Sequence, residues 1–408
     1  MGDCKAGEIS ASQQRCSGKR FLTQHIVSLP KENTMRIKSM IAMLSLVTFV
    51  LMFWGVGEVR AQKIKISPKD AAYAKYQALS TAKKLHSNLP CTVSPTPDEA
   101  AAYRAPKAKR RYTIGFMEPT LAGHYYQAGS SGAFKAAKEA GVKLEFVSAG
   151  TGYASPEQQL KQAERLLLKG VDAVAVIPTD IQGGVAITNL FLREKIPVVI
   201  VATESSSPDA YMVMQDDYQM GRDSADLLVK ETGPNAGKGI VIAGPANATW
   251  SAKRAAGFAD RVKEKYPGVK IAVSATQNVD PAQGLKSFEN AVQAHPDIKW
   301  VYSVFNLLLD PDSLPARYKD VAFVTNGLDP ASIQDLKEGQ YSTVIGITPT
   351  PMGYQGVGHA VAILNGDQNV PALVCIPLTR YTAKDMPPNK TAVTLELIQK
   401  GFEVSAQK

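Results

Sequence analysis

A chain of 408 residues with 46 basic and 37 acidic side chains, a net charge of +9, is long enough for two domains of ordinary size. Its positive excess forms no basic stripe interleaved with aromatic residues, which argues against a nucleic-acid partner. Its five histidines are scattered without metal-ligand spacing, so neither a metal nor a cofactor is expected.

In chain order, the first signal is one of export. Lys31, Arg36 and Lys38 precede an apolar run from Met40 to Val56, interrupted only by Ser45, Thr48 and Gly55, and Val59-Arg60-Ala61 follows it. Charge, apolar core and small-residue exit in that order predict a secretory signal, with the mature chain starting near Gln62. The run has nearly the length of a short membrane span, but the cleavage-like triplet behind it favours the signal over an anchor. Met35 stands just before the positive stretch, so residues 1–34 are set aside as leader. Residues 1–61 carry 8 basic and 4 acidic side chains, which leaves the remainder with a mild positive excess. Of the four cysteines, Cys91 and Cys375 survive processing. In an oxidising compartment they form either a disulfide or two separate thiols, Cys375 being buried in an apolar strand.

Ser67 as N-cap and Pro68 at the first helical position open a predicted helix that runs to about Ser87. Pro90, Pro95, Pro97 and Pro106 then predict an irregular linker. It ends in a basic knot, Lys107, Lys109, Arg110 and Arg111, read as solvated. From Tyr112 onward short apolar runs alternate with amphipathic stretches. Predicted strands are Tyr112–Met117, Lys143–Ser148, Ala173–Ile177, Pro197–Val201, Gly239–Ala243, Lys270–Ser274, Lys299–Val304, Val321–Val324 and Thr343–Ile347. Predicted helices between them include Ala128–Ala140, Pro156–Lys169 and Trp250–Tyr266. Gly141 and Gly170 stand where C-terminal glycine caps belong. This alternation predicts an α/β protein whose parallel sheets are covered by helices on both faces. Nine strands suit two sheets, with a break near Met214–Gly221.

In such sheets the loops beyond the carboxyl ends of the strands build the site. Here those loops carry Glu118 to Tyr126, Pro178-Thr179-Asp180, Ala202-Thr203-Glu204, Gly244 to Trp250, Asn306, and Asn326-Gly327. The set is polar and aromatic. It contains no elbow serine, no P-loop and no metal set, so a binding protein and not an enzyme is expected. Asp180 is read as a helix N-cap, and one of Asp216 and Asp217 as a hinge or cap residue.

Five stretches in register carry a resemblance. They are Gly132-Ala-Phe-Lys-Ala-Ala-Lys-Glu-Ala-Gly141-Val142, Gln158-Gln159 leading to Gly170-Val-Asp-Ala-Val-Ala-Val-Ile-Pro178-Thr-Asp180, Ile196-Pro197-Val198-Val199, Asp216-Asp217 with Gly221, and Arg254 with Gly257-Phe258. Residues 112–385 thereby resemble the sugar-type periplasmic binding proteins, the family that shares its fold with the ligand-sensing half of lactose-repressor-like regulators. The resemblance implies the type I fold, two doubly wound parallel-sheet lobes joined by a three-crossing hinge, with ligand in the cleft between. The crossings would fall near Asp216, Ile347 and Pro371–Pro377. Lobe 1 would then hold residues 112–216 and 348–372, and lobe 2 residues 217–347 and 373–408, behind an N-terminal helix and linker over 62–111. It also implies ligand contacts from Tyr125, Tyr126, Trp250, Asn306, Asn326, Asp216, Asp217 and Glu118. Aromatic faces stack on a sugar ring, and polar groups hold its hydroxyls.

The family's pattern is altered at three places. Ala202-Thr203 replaces the acidic residue, often with arginine, that ends the fourth strand. Ala252 replaces an arginine that grips sugar, and Asn326 replaces an aspartate. Arg254 matches, in a position that usually braces its helix. The implied function is capture of a small polar molecule in the periplasm for an ABC importer. Ala149-Gly-Thr-Gly-Tyr153, Ala243-Gly-Pro-Ala-Asn247, His295-Pro-Asp-Ile298 and Lys109-Arg110 are similar to the periplasmic trimethylamine-oxide-sensing proteins, which implies the alternative of signalling to a membrane sensor kinase. In that group a cage tryptophan stands roughly where this chain has Asp217. A DNA-binding repressor would need a helix-turn-helix before Tyr112. Residues 62–111 offer one helix and a proline-rich linker.

Overall fold

A computed structural model describes residues 66, 95–121, 124–150, 152–246, 248–327, 336 and 343–382. The expected signal segment, the helix from Ser67 and Cys91 lie outside the described residues. The order of elements is α1 Pro97–Ala102, β1 Thr113–Glu118, α2 His124–Ala140, β2 Lys143–Ser148, α3 Pro156–Leu168, β3 Ala173–Val176, α4 Ile181–Arg193, β4 Val198–Val201, β5 Tyr211–Gln215, α5 Asp217–Thr232, β6 Gly237–Ala243, α6 Thr249–Lys265, β7 Val269–Thr276, α7 Pro281–Ala294, β8 Ile298–Ser303, β9 Ala322–Thr325, β10 Thr343–Gly346, α8 Pro349–Leu364, β11 Leu373–Ile376 and β12 Thr379–Thr382.

Two parallel sheets result. The first has the order β11-β5-β4-β3-β1-β2 and the second β7-β6-β8-β9; β10 and β12 form a separate antiparallel pair. In the first sheet β3 and β4 read Ala-Val-Ala-Val and Val-Val-Ile-Val, and every residue is buried. Only a strand covered on both faces tolerates such a run. The two coverings are separate apolar clusters. Phe116, Ala175, Val199 and Val213 pack with α2 and α8 on one face, and Val174, Val176, Ile200 and Met212 pack with α3 and α4 on the other. The second sheet has its own core around Phe258, Phe288, Trp300 and Tyr302. The α/β class and the doubly wound arrangement expected from the sequence are what the chain forms.

Two strands of the first sheet lie outside the nine predicted ones, Tyr211–Gln215 and Leu373–Ile376, the latter containing Cys375, for which an apolar strand was one of the two expectations. They pair with each other in parallel, Leu373 opposite Met212; β5 also pairs with the preceding β4, while β11 finds its partner far away in sequence. This moves a boundary: residues 373–376, expected in the second lobe, are an edge strand of the first. The chain passes between the sheets after Gln215, after Gly346 and after Ile376. Cys375 sits buried in β11 and is disulfide-bonded.

Helix ends follow local chemistry. Ser155 and Gln158 form a reciprocal capping box at α3, and Asp180 caps α4 through the Gly183 amide at 2.6 Å. Gly141 and Gly170 hold φ values of 78° and 67°, as their capping positions require. Gly221 and Gly257, both part of the resemblance, have a packing reason. A Cβ on Gly221 would stand 2.0 Å from the Arg254 carbonyl oxygen, and one on Gly257 2.0 Å from that of Tyr218. The backbones of α5 and α6 cross too closely for any side chain there.

The linker departs from expectation. Thr96 caps a short helix at Pro97–Ala102 with a full capping box, and the stretch after it is bound to the first lobe. The Ala108 amide donates to the Ala140 carbonyl at 2.9 Å, the Lys109 amide to Asn365 Oδ1 at 2.9 Å, and Asn365 Nδ2 to the Lys107 carbonyl at 2.8 Å. The basic knot is nonetheless solvated, as expected: Lys107, Lys109, Arg110 and Arg111 are all exposed, and the Lys107 ammonium reaches the Glu139 carbonyl at 2.6 Å. Tyr103 packs edge-on against His359 at 6.0 Å.

His359 is 3 % exposed, and its Nδ1 has no hydrogen-bond partner among the described residues. Burial pushes its pKa from 6.5 down to about 4, with Asp367 opposing weakly. The unfolded chain therefore binds the extra proton at a higher pH than the folded one. The stability from this group is intact above pH 6.5 and falls as the pH drops toward 4, by about 3 kcal/mol in full. Urea unfolding across that window should show the loss, and His359→Gln should flatten the slope. Equal slopes in both proteins would contradict it.

Candidate functional site

The loops beyond the carboxyl ends of β1, β3 and β4 face those beyond β6 and β8. From the first lobe Tyr125, Tyr126, Ile177 and Thr203 line a space of about 290 Å³, its opening to solvent included; Trp250, Arg254 and Phe305 close it from the second, with Ile347 at a crossing. A second space of about 260 Å³ lies on the other side of Tyr125, lined by His124, Ala128, Phe305, Asn306, Leu307 and Pro349 among others. Tyr125 and Phe305 divide the cleft, their ring centres 5.8 Å apart.

Half of the residues lining the first space are aromatic. Tyr125 meets Tyr126 edge-on at 5.0 Å, Tyr126 meets Tyr153 at 6.2 Å, and Trp250 meets Phe305 at 5.6 Å. The Tyr153 hydroxyl lies near both Tyr126 and Trp250 and donates to the Thr179 carbonyl at 3.4 Å. Rings from both lobes thus form one continuous cluster. Burial holds the Tyr126 phenol well above its ordinary pKa, so it stays neutral and presents a ring and a hydroxyl.

Several polar groups around the cleft are committed to the protein itself. Arg254 Nε donates to Asp217 Oδ1 at 2.8 Å and its Nη1 to the Val304 carbonyl at 2.9 Å, while its guanidinium lies 5.1 Å over the Trp250 ring. Gln215 Nε2 donates to the same Asp217 oxygen at 3.0 Å, and Gln215 Oε1 accepts from the Thr348 amide at 3.2 Å. This chain of bonds ties the pocket-lining Arg254 to two of the crossings. Asn326 accepts from the Tyr302 hydroxyl at 2.7 Å and donates to Ser224 at 2.9 Å.

The expected site residues therefore divide. Tyr125, Tyr126, Trp250 and Asn306 come together in the cleft. Asp217 and Asn326 do not line it; both carboxylate and amide serve bonds within the second lobe and its crossing. Asp216 caps α5 through the Gln219 amide at 2.9 Å. Glu118 is fully buried below the tyrosines, and its oxygens have no well-aligned hydrogen-bond partner among the described residues. Burial raises its pKa well above the carboxylate range, and the nearby Ser130 hydroxyl opposes the shift. Among the described residues no group of three His, Cys, Asp or Glu side chains is placed to hold a metal.

Residues 114–368 match the model of the periplasmic binding protein domain. The chain belongs to that family. Among its relatives, the ribose import binding protein of Bacillus subtilis is 24% identical over 281 residues, covering 68% of this chain and 89% of that protein. Two solved structures share the fold. A carbohydrate transporter solute-binding protein from Agrobacterium radiobacter, in complex with D-arabinose, superposes with a TM-score of 0.62 at 21% identity, over 70% of this chain and 99% of that one. An ABC transporter solute-binding protein from Mycobacterium smegmatis with bound glycerol gives a TM-score of 0.63 at 23% identity, over 68% and 96%. The periplasmic binding protein family is one of binding proteins, which agrees with a cleft walled by rings.

Tyr153, Phe305, Arg254, Ile177, Thr203 and Ile347 had not been singled out as ligand residues. A positional signal was available for two of them. Phe305 stands immediately before Asn306 beyond β8, and Thr203 stands at the start of the loop after β4, both in the loops where this fold places its contacts.

Proposed function

We propose that the protein captures a small polar molecule between its lobes in the periplasm and presents it to an ABC importer. The observation that carries this is the ring-walled cleft, built from Tyr125 and Tyr126 on one side and Trp250 and Phe305 on the other, in a chain of the periplasmic binding protein family. The relatives' sugar ligands support a hydroxylated solute. In the same reading residues 1–61 are a leader removed on export. Lobe 1 comprises residues 112–216 and 348–376, and lobe 2 residues 217–347 with the segment after 376.

One observation favours a second reading. With Arg254, Asp217 and Asn326 engaged within the protein, the cleft offers ring faces more than hydroxyl-binding groups, and ring faces attract methylated ammonium groups. That suits the likeness to trimethylamine-oxide-sensing proteins, and with it a sensor-kinase partner. Thermal unfolding against pentoses, hexoses, glycerol and methylated amines separates the two readings. A ligand at a hundred times its Kd stabilises by about 2.7 kcal/mol, which raises Tm by a few degrees. Stabilisation by a sugar or polyol supports import. Stabilisation by methylated amines alone supports the sensor, and no shift with any of them counts against both.

A further inference from the structure

Beside the ring cluster a second contact joins the lobes. β4 ends at Val201, and Ala202 turns the chain with a φ of 63°, a left-handed conformation that a residue with a Cβ adopts only when its surroundings enforce it. The turn carries Thr203 into the cleft and Glu204 against the start of α6 in the second lobe. There the Glu204 amide donates to Thr249 Oγ1 at 3.1 Å, and the Glu204 carboxylate forms an ion pair with the Lys253 ammonium. The two side chains are 2% and 6% exposed, so closure removes both charges from water.

We propose that Glu204 and Lys253 form an interlobe latch that holds the cleft closed in the unliganded protein. The pair joins elements of different sheets, so it exists only when the lobes are together and breaks when they part. Its neighbours in sequence, Thr203 on one side and Trp250 and Arg254 on the other, line the ligand space, so the latch closes at the edge of the site itself. A ligand adds its contacts to a closed form already favoured, and its apparent affinity rises with the fraction of protein in that form. This goes beyond the ligand-capture reading and does not depend on which ligand is bound.

The test uses small-angle scattering on ligand-free protein, with circular dichroism to confirm the fold. Removing the cation, in Lys253→Met, leaves the buried Glu204 carboxylate without its ion-pair partner if the cleft stays shut, and such a charge drives the lobes toward water. The double neutral variant E204Q/K253M leaves no such charge and therefore isolates the latch. Its radius of gyration is expected to rise above the roughly 20 Å of a compact chain of this size. Lys253→Arg, which keeps a cation opposite Glu204 and beside Asp216, should keep the wild-type value. A double neutral variant as compact as wild type, or a Lys253→Arg variant as expanded as the double neutral one, would overturn the latch, whatever the ligand screen finds.

Discussion

Arg254→Ala is expected to destabilise the protein by about 3–5 kcal/mol, the usual consequence of removing one partner from a buried ion pair. Both side chains of the pair are 3% exposed, so the Asp217 carboxylate left behind has no access to water unless the structure opens. The loss extends beyond the pair. Arg254 also satisfies the Val304 carbonyl, and Asp217 holds Gln215, which in turn accepts the Thr348 amide. An aspartate stripped of its arginine therefore sits at the junction of two crossings. The midpoint of urea unfolding should fall accordingly, with Asp217→Ala costing a similar amount. The paired replacement Arg254→Met with Asp217→Leu should recover much of the loss, because an apolar pair leaves no buried charge. A single-variant effect below about 1 kcal/mol would mean that the pair is solvated and does not brace the crossing.

What the sequence revealed, and what it hid, divides along physical lines. The strands at Lys143–Ser148 and Ala173–Val176 were legible because each is a short apolar run bounded by polar residues and followed by a helix with its own caps. The placement of Leu373–Ile376 beside Tyr211–Gln215 was not, since that pairing joins residues about as far apart as the lobe allows and no local pattern records it. The same holds at the site. Tyr125, Tyr126 and Trp250 are large rings in loops beyond strand ends, and the fold alone says what such loops do. Asp217 and Asn326 look equally suited to a ligand when read locally. Their partners are Arg254, 37 residues away, and Ser224, 102 residues away. A polar residue's chemistry is written in the sequence, but whether that chemistry is already spent on another side chain is decided by packing. Thus Tyr125, Tyr126 and Trp250 line the cleft, while Asp217 and Asn326 are engaged by other side chains.

The ring cluster sets the second large expectation, which rests on the proposed ligand capture. Trp250→Ala should weaken ligand binding by at least about 1–2 kcal/mol, roughly ten-fold or more. Trp250 is 8% exposed, and three contacts depend on its indole: the Phe305 ring at 5.6 Å, the Arg254 guanidinium at 5.1 Å and the Tyr153 hydroxyl. Truncation removes a wall of the cleft and loosens the ring and the cation that form the remaining wall of that lobe. Tyr126→Phe makes the useful contrast. It keeps the ring and deletes only the hydroxyl that meets Tyr153, so its cost should be nearer that of one neutral hydrogen bond, about 1 kcal/mol. Tyr126→Ala should resemble Trp250→Ala, since losing an aromatic face forfeits a large desolvated area. Calorimetric titration of the three variants with the ligand found by thermal screening measures these differences, with far-UV dichroism establishing that each variant is folded. The ordering is the decisive reading. If Tyr126→Phe costs as much as Trp250→Ala, the hydroxyl network and not the ring faces carries recognition; if neither alanine variant loses affinity, the ligand binds elsewhere than between these rings.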